Sequence, residues 1–193
     1  MKKEKNVLIS VFDKNGISAF AKSLNESGYK IIATEGTGKE LAKNNIPYIS
    51  TEKLSKNPNG LEDCIKTISF RIEAGILFDR LNKKHLERIK KLGIKKIDMV
   101  VCNVVNFDTI KKTTDFNIKN IDVGGPLMIR AAATSFRNVL VVVDPKDYKV
   151  ISKAISKNKI TNKLRQTLAA KAFAHTRSYD SKIVEYLKKK RVE

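Results

Sequence analysis

Asp122 stands two residues ahead of a glycine pair, Gly124-Gly125, and the pair leads into Leu127-Met-Ile-Arg-Ala-Ala-Ala133, a run of good helix formers. Glycines at a helix start leave the first backbone N–H groups open to a ligand, and the helix dipole favours negative charge at that point. Asp122 adds a carboxylate, so one turn can bind an anion and move a proton. A tight turn with Asp122 as a near-cap uses the same residues, and the segment alone leaves both open.

Other chemistry-bearing groups lie at the ends of short apolar runs. Thr34-Glu35-Gly36-Thr37-Gly38 has the hydroxyls and glycines of a phosphate-cradling turn, although the GxxxxGK[ST] spacing is absent. Thr37 is equally an ordinary helix N-cap, and the Glu35 carboxylate repels phosphate unless it points away. Asp13-Lys14 follows the first apolar run, and Lys14 can hold a phosphate as a point charge. Lys66-Thr67 sets a lysine among apolar neighbours, where desolvation can tune it towards neutral pH, and the same residues also fit one more surface lysine among many. His175 has no carboxylate or nucleophile at partner spacing and reads as a helix-packing or interface residue. Cys64 and Cys102 form no CxxC pair, and with His85 and His175 they show no zinc-ligand spacing, so no metal is expected.

These residues need a scaffold of alternating elements. Val7–Phe12, Lys30–Thr34, Tyr48–Ser50, Asp98–Val105 and Asn138–Val143 read as strands, the fourth apolar enough to be buried on both faces. Helical periodicity follows the first strand, with Ile17, Phe20, Ala21 and Leu24 on one face and Gly28 as its stop. Helices are expected from the Glu35-Gly36-Thr37-Gly38 turn through Asn44, over 72–81, over 84–92, from Gly124, and from 145 to 192. Residues 51–63 read as a polar loop and 106–120 as a polar excursion. The pattern predicts an α/β fold, a Rossmann-like parallel sheet covered by helices over 1–144, with a C-terminal helical extension over 145–193. The extension can also serve as a dimerisation arm.

Composition narrows the partners. The 193 residues are 41% hydrophobic, enough for a real core. Thirty-nine Lys and Arg against 20 Asp and Glu give a net charge of +19. The basic residues are dispersed except for Lys188-Lys189-Lys190-Arg191, and no aromatic-interleaved basic stripe exists, so a solvated surface outweighs a nucleic-acid footprint. Two thiols point to a reducing compartment, and the N-terminal apolar run is too short for a signal or membrane span, so a cytoplasmic protein without membrane contact is expected.

Taken in order and spacing, Ser10-Val-Phe-Asp-Lys-Asn-Gly16, Thr34-Glu-Gly-Thr37, Lys66-Thr67, Cys102-Asn103, Ile121-Asp-Val-Gly-Gly125 and Arg130-Ala-Ala-Ala133 resemble the inosine monophosphate (IMP) cyclohydrolase domain. That domain is the N-terminal half of the bifunctional AICAR formyltransferase/IMP cyclohydrolase of purine biosynthesis. Val141-Val-Val-Asp-Pro-Lys-Asp-Tyr148 and Leu168-Ala-Ala-Lys-Ala-Phe-Ala-His-Thr-Arg-Ser-Tyr-Asp180 extend the resemblance over nearly the whole chain, with no counterpart of the formyltransferase half.

The resemblance implies a methylglyoxal-synthase-like fold, usually dimeric. It also implies closure of the last purine ring, in which formyl-AICAR loses water to give IMP with no metal or redox cofactor. By resemblance, Lys66 and Asp122 are catalytic. Ser10, Lys14, Thr34, Gly36, Thr37 and Thr67 hold the ribose phosphate, and Asn103 contacts the carboxamide or base. Asp13, Glu35, Cys102, Gly124 and Gly125 complete the substrate contacts.

The chain departs from the family pattern at several places. Val105 stands for a tyrosine, Thr134 for a lysine after the alanine run, Cys64 for an arginine, and Ser69-Phe70 for His-Pro. Lys39, Arg71 and Arg137 are the candidates nearest by sequence context to take the place of that lysine. The alternative function is a weakened purine-nucleotide-binding or scaffold domain partnering a separate AICAR formyltransferase.

Overall fold

The computed structural model describes residues 4–57, 65, 67–105 and 121–189. Five strands form one all-parallel sheet: β1 (Lys5–Val11), β2 (Tyr29–Ala33), β3 (Ile49–Ser50), β4 (Met99–Asn103) and β5 (Leu140–Val142), in the order β3-β2-β1-β4-β5. The expected α/β class with a helix-covered parallel sheet is therefore observed. Val7, Leu8 and Ile9 at the sheet centre have no exposure, and all of β4 is buried, which is why these runs lack polar alternation.

Helices α1 (Ile17–Glu26), α2 (Glu35–Lys43), α3 (Thr51–Ser55), α4 (Phe70–Leu77), α5 (Lys83–Lys91) and α6 (Gly124–Thr134) cover the sheet. The α1 face buries Ile17, Phe20, Ala21 and Leu24. Gly16, at φ 70°, makes the left-handed turn that lets α1 start directly behind β1, beside the ring of Tyr148. That ring stacks on Phe20 with centroids 4.4 Å apart.

Two expectations need correction. Residues 51–63 are not all loop: Thr51–Ser55 is a helical turn whose first amides are capped by Ser50, which accepts from the Lys53 N–H. Polar composition concealed the cap, and Thr51, Leu54 and Ser55 are buried. The stretch after β5 is not one helix but a 3₁₀ turn (Pro145–Asp147), α7 (Tyr148–Ser156) and α8 (Asn162–Lys189). Asp144 caps the first piece by accepting from the Lys146 N–H at 2.9 Å, and Asn158 at φ 53° ends the second. Leu168, Ala169, Ala172 and Tyr179 of α8 join the core built on the sheet. The expected polar excursion at 106–120 and all of 58–64 lie outside the described residues. Among the described residues no helix is long and apolar enough to cross a membrane.

Candidate functional site

Strands β1 and β4 are neighbours whose connections run to opposite sides of the sheet, the arrangement that opens a crevice beyond their carboxyl ends. Their register sets Ser10 beside Cys102 and Val11 beside Asn103. Asn103 then works on the loop after β1. Its Oδ1 accepts from the Phe12 N–H at 2.8 Å and the Asp13 N–H at 2.9 Å, and its Nδ2 donates to the Asp13 carbonyl at 3.2 Å. The other amide N–H of Asn103 has no partner among the described residues. Asp13 Oδ1 accepts from the Asn15 N–H at 2.9 Å, closing the turn that presents Lys14. Asp13, Lys14 and Asn103 line an open cavity of about 710 Å³, together with Val104, Asp144, Lys171 and His175.

A second group joins the exits of β1 and β2. Thr34 Oγ1 lies 3.2 Å from Ser10 Oγ and 3.4 Å from Thr37 Oγ1. Thr37 is not the α2 cap; its buried hydroxyl accepts from the Val11 N–H at 3.0 Å and ties the helix to β1. Thr34 occupies the cap position without a side-chain cap bond, and the first turn closes through Gly38 N–H to the Thr34 carbonyl at 2.7 Å. The Gly36 and Thr37 amides thus have no partner among the described residues. Unpaired amides with a cluster of hydroxyls are what a phosphate cradle requires. Glu35 is drawn to Lys39, 2.6 Å away on the exposed side of the helix.

The third group surrounds the glycine pair. Asp122 Oδ1 accepts from the Gly125 N–H at 3.1 Å, and the Asp122 N–H donates to the Tyr179 hydroxyl at 2.8 Å. A Cβ on Gly124 would collide with Thr67 Oγ1, and one on Gly125 with Asp122 Oδ2. The glycines therefore make room first for the protein's own hydroxyl and carboxylate, rather than simply leaving an open helix start for a ligand. Cys102 is buried beneath α6 with Sγ 3.9 Å from the Gly125 carbonyl. Burial, and then the Asp122 charge, push its thiol up and make it inert. Lys66 lies outside the described residues, as does Cys64.

The proposed substitutes for the missing lysine fare differently. Arg71 is committed to the Leu54, Leu92 and Gly93 carbonyls, a structural tie rather than a free cation. Lys39 is held by Glu35, and Arg137 sits in the turn before β5. Thr134 is exposed at the end of α6, while Val105 packs on the core.

Sequence reasoning missed the contribution of α8. Lys171, His175 and Tyr179 recur every four residues, hence on one helix face, and that spacing was the available signal. Lys171 Nζ reaches Asp144 at 2.8 Å and Asp147 at 2.7 Å. Against the pull of burial, these bonds hold its pKa above the ordinary lysine value. His175 Nε2 accepts from the Val104 N–H at 3.3 Å. Burial holds the His175 pKa below its ordinary value, with Asp144 opposing and Lys171 assisting. Among the described residues no group of three or more His, Cys, Asp or Glu could hold a metal ion.

Comparison with known proteins bears on this arrangement. A family model described as "MGS-like domain" matches residues 16–127, and one described as "AICARFT/IMPCHase bienzyme" matches residues 132–193. The chain is 47% identical over 189 residues to the bifunctional purine biosynthesis protein PurH of Caldicellulosiruptor bescii, covering 95% of this chain and 37% of that protein. It is 42% identical over 184 residues to the PurH of Leuconostoc mesenteroides, covering 93% and 36%. The chain thus spans little more than a third of the length of these relatives. A solved structure titled "Crystal structure of ForH" superposes with a TM-score of 0.85 at 28% identity, covering 95% of this chain and 98% of that one.

Proposed function

The chain belongs to the MGS-like domain family, and from that premise we propose that it acts in purine biosynthesis by closing the purine ring of formyl-AICAR to give IMP and water. The observation that carries this reading is the Asp122 carboxylate, pinned by one oxygen to the Gly125 amide at a helix start. Its Oδ2 has no hydrogen-bond partner among the described residues and is the oxygen available to a ligand.

The chemistry follows from these groups. The carboxamide nitrogen attacks the formyl carbon, a C–N bond forms, and the nitrogen's proton passes to Asp122 Oδ2. The formyl oxygen gains negative charge and is protonated to a hydroxyl; the C–O bond then breaks, the formamido nitrogen gives up its N–H to form the ring C=N, and the oxygen leaves as water carrying one proton from each substrate nitrogen. Lys66, by resemblance, stabilises that charge. The Ser10–Thr34–Thr37 hydroxyls and the Gly36 and Thr37 amides hold the ribose phosphate, with Lys14 as a further cation. Both reacting groups belong to one substrate, so positioning supplies much of the acceleration. The same proposal places the protein in the cytoplasm, pairs it with a second copy of itself, and takes its substrate from a formyltransferase.

A second reading rests on Val105 and Thr134, which supply neither the phenol nor the cation of the family pattern: a pocket that binds the purine nucleotide and catalyses weakly. One experiment separates them. Purified protein is mixed with formyl-AICAR, and purine formation is followed by absorbance. Turnover that falls in Asp122→Asn supports ring closure. A rate equal to buffer together with tight IMP binding supports the binding module. A buffer rate with no IMP binding sinks both.

A further inference from the structure

We propose that His175 is a positioning residue for the nucleotide site, holding the exit of β4 where Asn103 can fix the Asp13–Lys14 loop. The inference rests on the reading of Asp13 and Lys14 as nucleotide contacts. It starts from a chain of bonds that joins α8 to the far side of the crevice. His175 Nε2 accepts the Val104 N–H. The preceding residue, Asn103, makes three bonds to the Phe12–Asp13 backbone. Val104 also faces the glycine turn, because a Cβ on Gly125 would stand 3.2 Å from Val104 Cγ1. One residue therefore sits between the Lys14 loop and the Asp122 cap, and its amide depends on the imidazole.

The bond has a definite protonation requirement. Nε2 accepts only in the neutral ring; an imidazolium presents N–H groups on both nitrogens and meets the Val104 donor with another donor. The surroundings offer the charged ring little compensation. From the loop after β1 come Asp13, whose Oδ1 is taken by the Asn15 amide, and Lys14. From the exit of β5 comes Asp144, whose oxygens accept from the Lys146 amide and pair with Lys171. Asp147 is held by Lys171 as well, and Lys171 itself is a like charge one turn away on α8. From α6, Arg130 lies over the Phe173 ring at 5.5 Å. Burial lowers the His175 pKa from its ordinary 6.5, so the ring is neutral and bonded at neutral pH. As pH falls from 6.5 through the depressed value, the acceptor is lost and the β4 exit is released.

The test uses the full chain and two readouts. Amide NMR between pH 8 and pH 5 follows the His175 ring and the Val104, Phe12 and Asp13 amides. The proposal expects all three amides to shift with the ring, and the shifts of Phe12 and Asp13 to vanish in His175→Gln, which keeps an acceptor oxygen without the proton. Calorimetry with IMP then expects wild-type affinity, relative to His175→Gln at the same pH, to fall by up to about tenfold per pH unit below the ring's pKa. Taking that ratio cancels titration of the phosphate itself. Phe12 and Asp13 amides that stay fixed while the ring titrates overturn the proposal, as does an acid limb that survives in His175→Gln. Coupled amides without IMP binding at any pH support the positioning chain and overturn the reading of Asp13 and Lys14 as nucleotide contacts instead.

Discussion

Replacing Gly125 by alanine separates two uses of the glycine pair, ligand approach and internal packing. The new Cβ lands on Asp122 Oδ2 and stands 3.2 Å from Val104 Cγ1. The carboxylate must rotate away, which removes its bond to the Gly125 amide, a capping loss of about 1 kcal/mol. Crowding against Val104 adds about 1–3 kcal/mol. Alanine's helix propensity returns up to about 1 kcal/mol. The net is a destabilisation of about 2 kcal/mol, which for a chain of this size lowers Tm by about 4–8 °C. Thermal unfolding of Gly125→Ala, Asp122→Ala and the double variant measures it. With the carboxylate gone, the alanine loses its closest clash and keeps the 3.2 Å approach to Val104 Cγ1, so the two substitutions should be coupled by about 1 kcal/mol or more. Additivity within about 0.5 kcal/mol refutes the packing argument. An unchanged Tm with abolished IMP binding returns the glycine to the role of admitting a ligand.

Three further outcomes are expected. Asn103→Ala leaves the Phe12 and Asp13 amides without their acceptor, and urea unfolding should show a loss of about 2 kcal/mol at unchanged m-value; a loss below about 0.5 kcal/mol contradicts the loop-holding role. Thr34→Val removes the hydroxyl shared by Ser10 and Thr37, and calorimetry should find IMP bound about 10–100-fold more weakly with little change in Tm; equal affinity removes the hydroxyls from the phosphate cradle. Glu73, on α4, is half-buried with both carboxylate oxygens covered and without a hydrogen-bond partner among the described residues, and desolvation pushes its pKa up to about 7. A raised carboxyl pKa contributes stability that is present below its ordinary value of 4.5 and lost as pH rises through about 7. Glu73→Gln should therefore remove about 1–2 kcal/mol of stability loss between pH 5 and pH 8, the figure reduced for partial solvent exposure; parallel pH–stability profiles for the two proteins argue against the shift.

The sequence made the sheet legible because central parallel strands have no polar face: Val7–Ile9 and Met99–Asn103 stand out as buried runs. The α3 turn was hidden because its evidence is a cap, Ser50 reaching the Lys53 amide, inside a polar stretch. At the site, Thr34–Thr37 and Asp122–Gly125 were legible as turns, but the direction of each side chain was not. Thr37 caps nothing and instead holds β1, and Gly124 and Gly125 accommodate Thr67 and Asp122. Asn103 was read as a ligand contact, yet most of its bonding capacity serves the loop, a pairing set by the β1–β4 register across about ninety residues of sequence. His175 has no carboxylate at partner spacing because its partner is a backbone amide, which leaves no mark on residue types.

The central claim, that Asp122 takes the proton during ring closure, is tested most directly by single-turnover kinetics with formyl-AICAR in wild type and Asp122→Asn. Asparagine keeps the cap acceptor for the Gly125 amide, so Tm should hold while the base is lost. The account predicts a rate lower by about 10²–10⁴ at unchanged Tm. Equal rates in the two proteins, with turnover above buffer in both, contradict it.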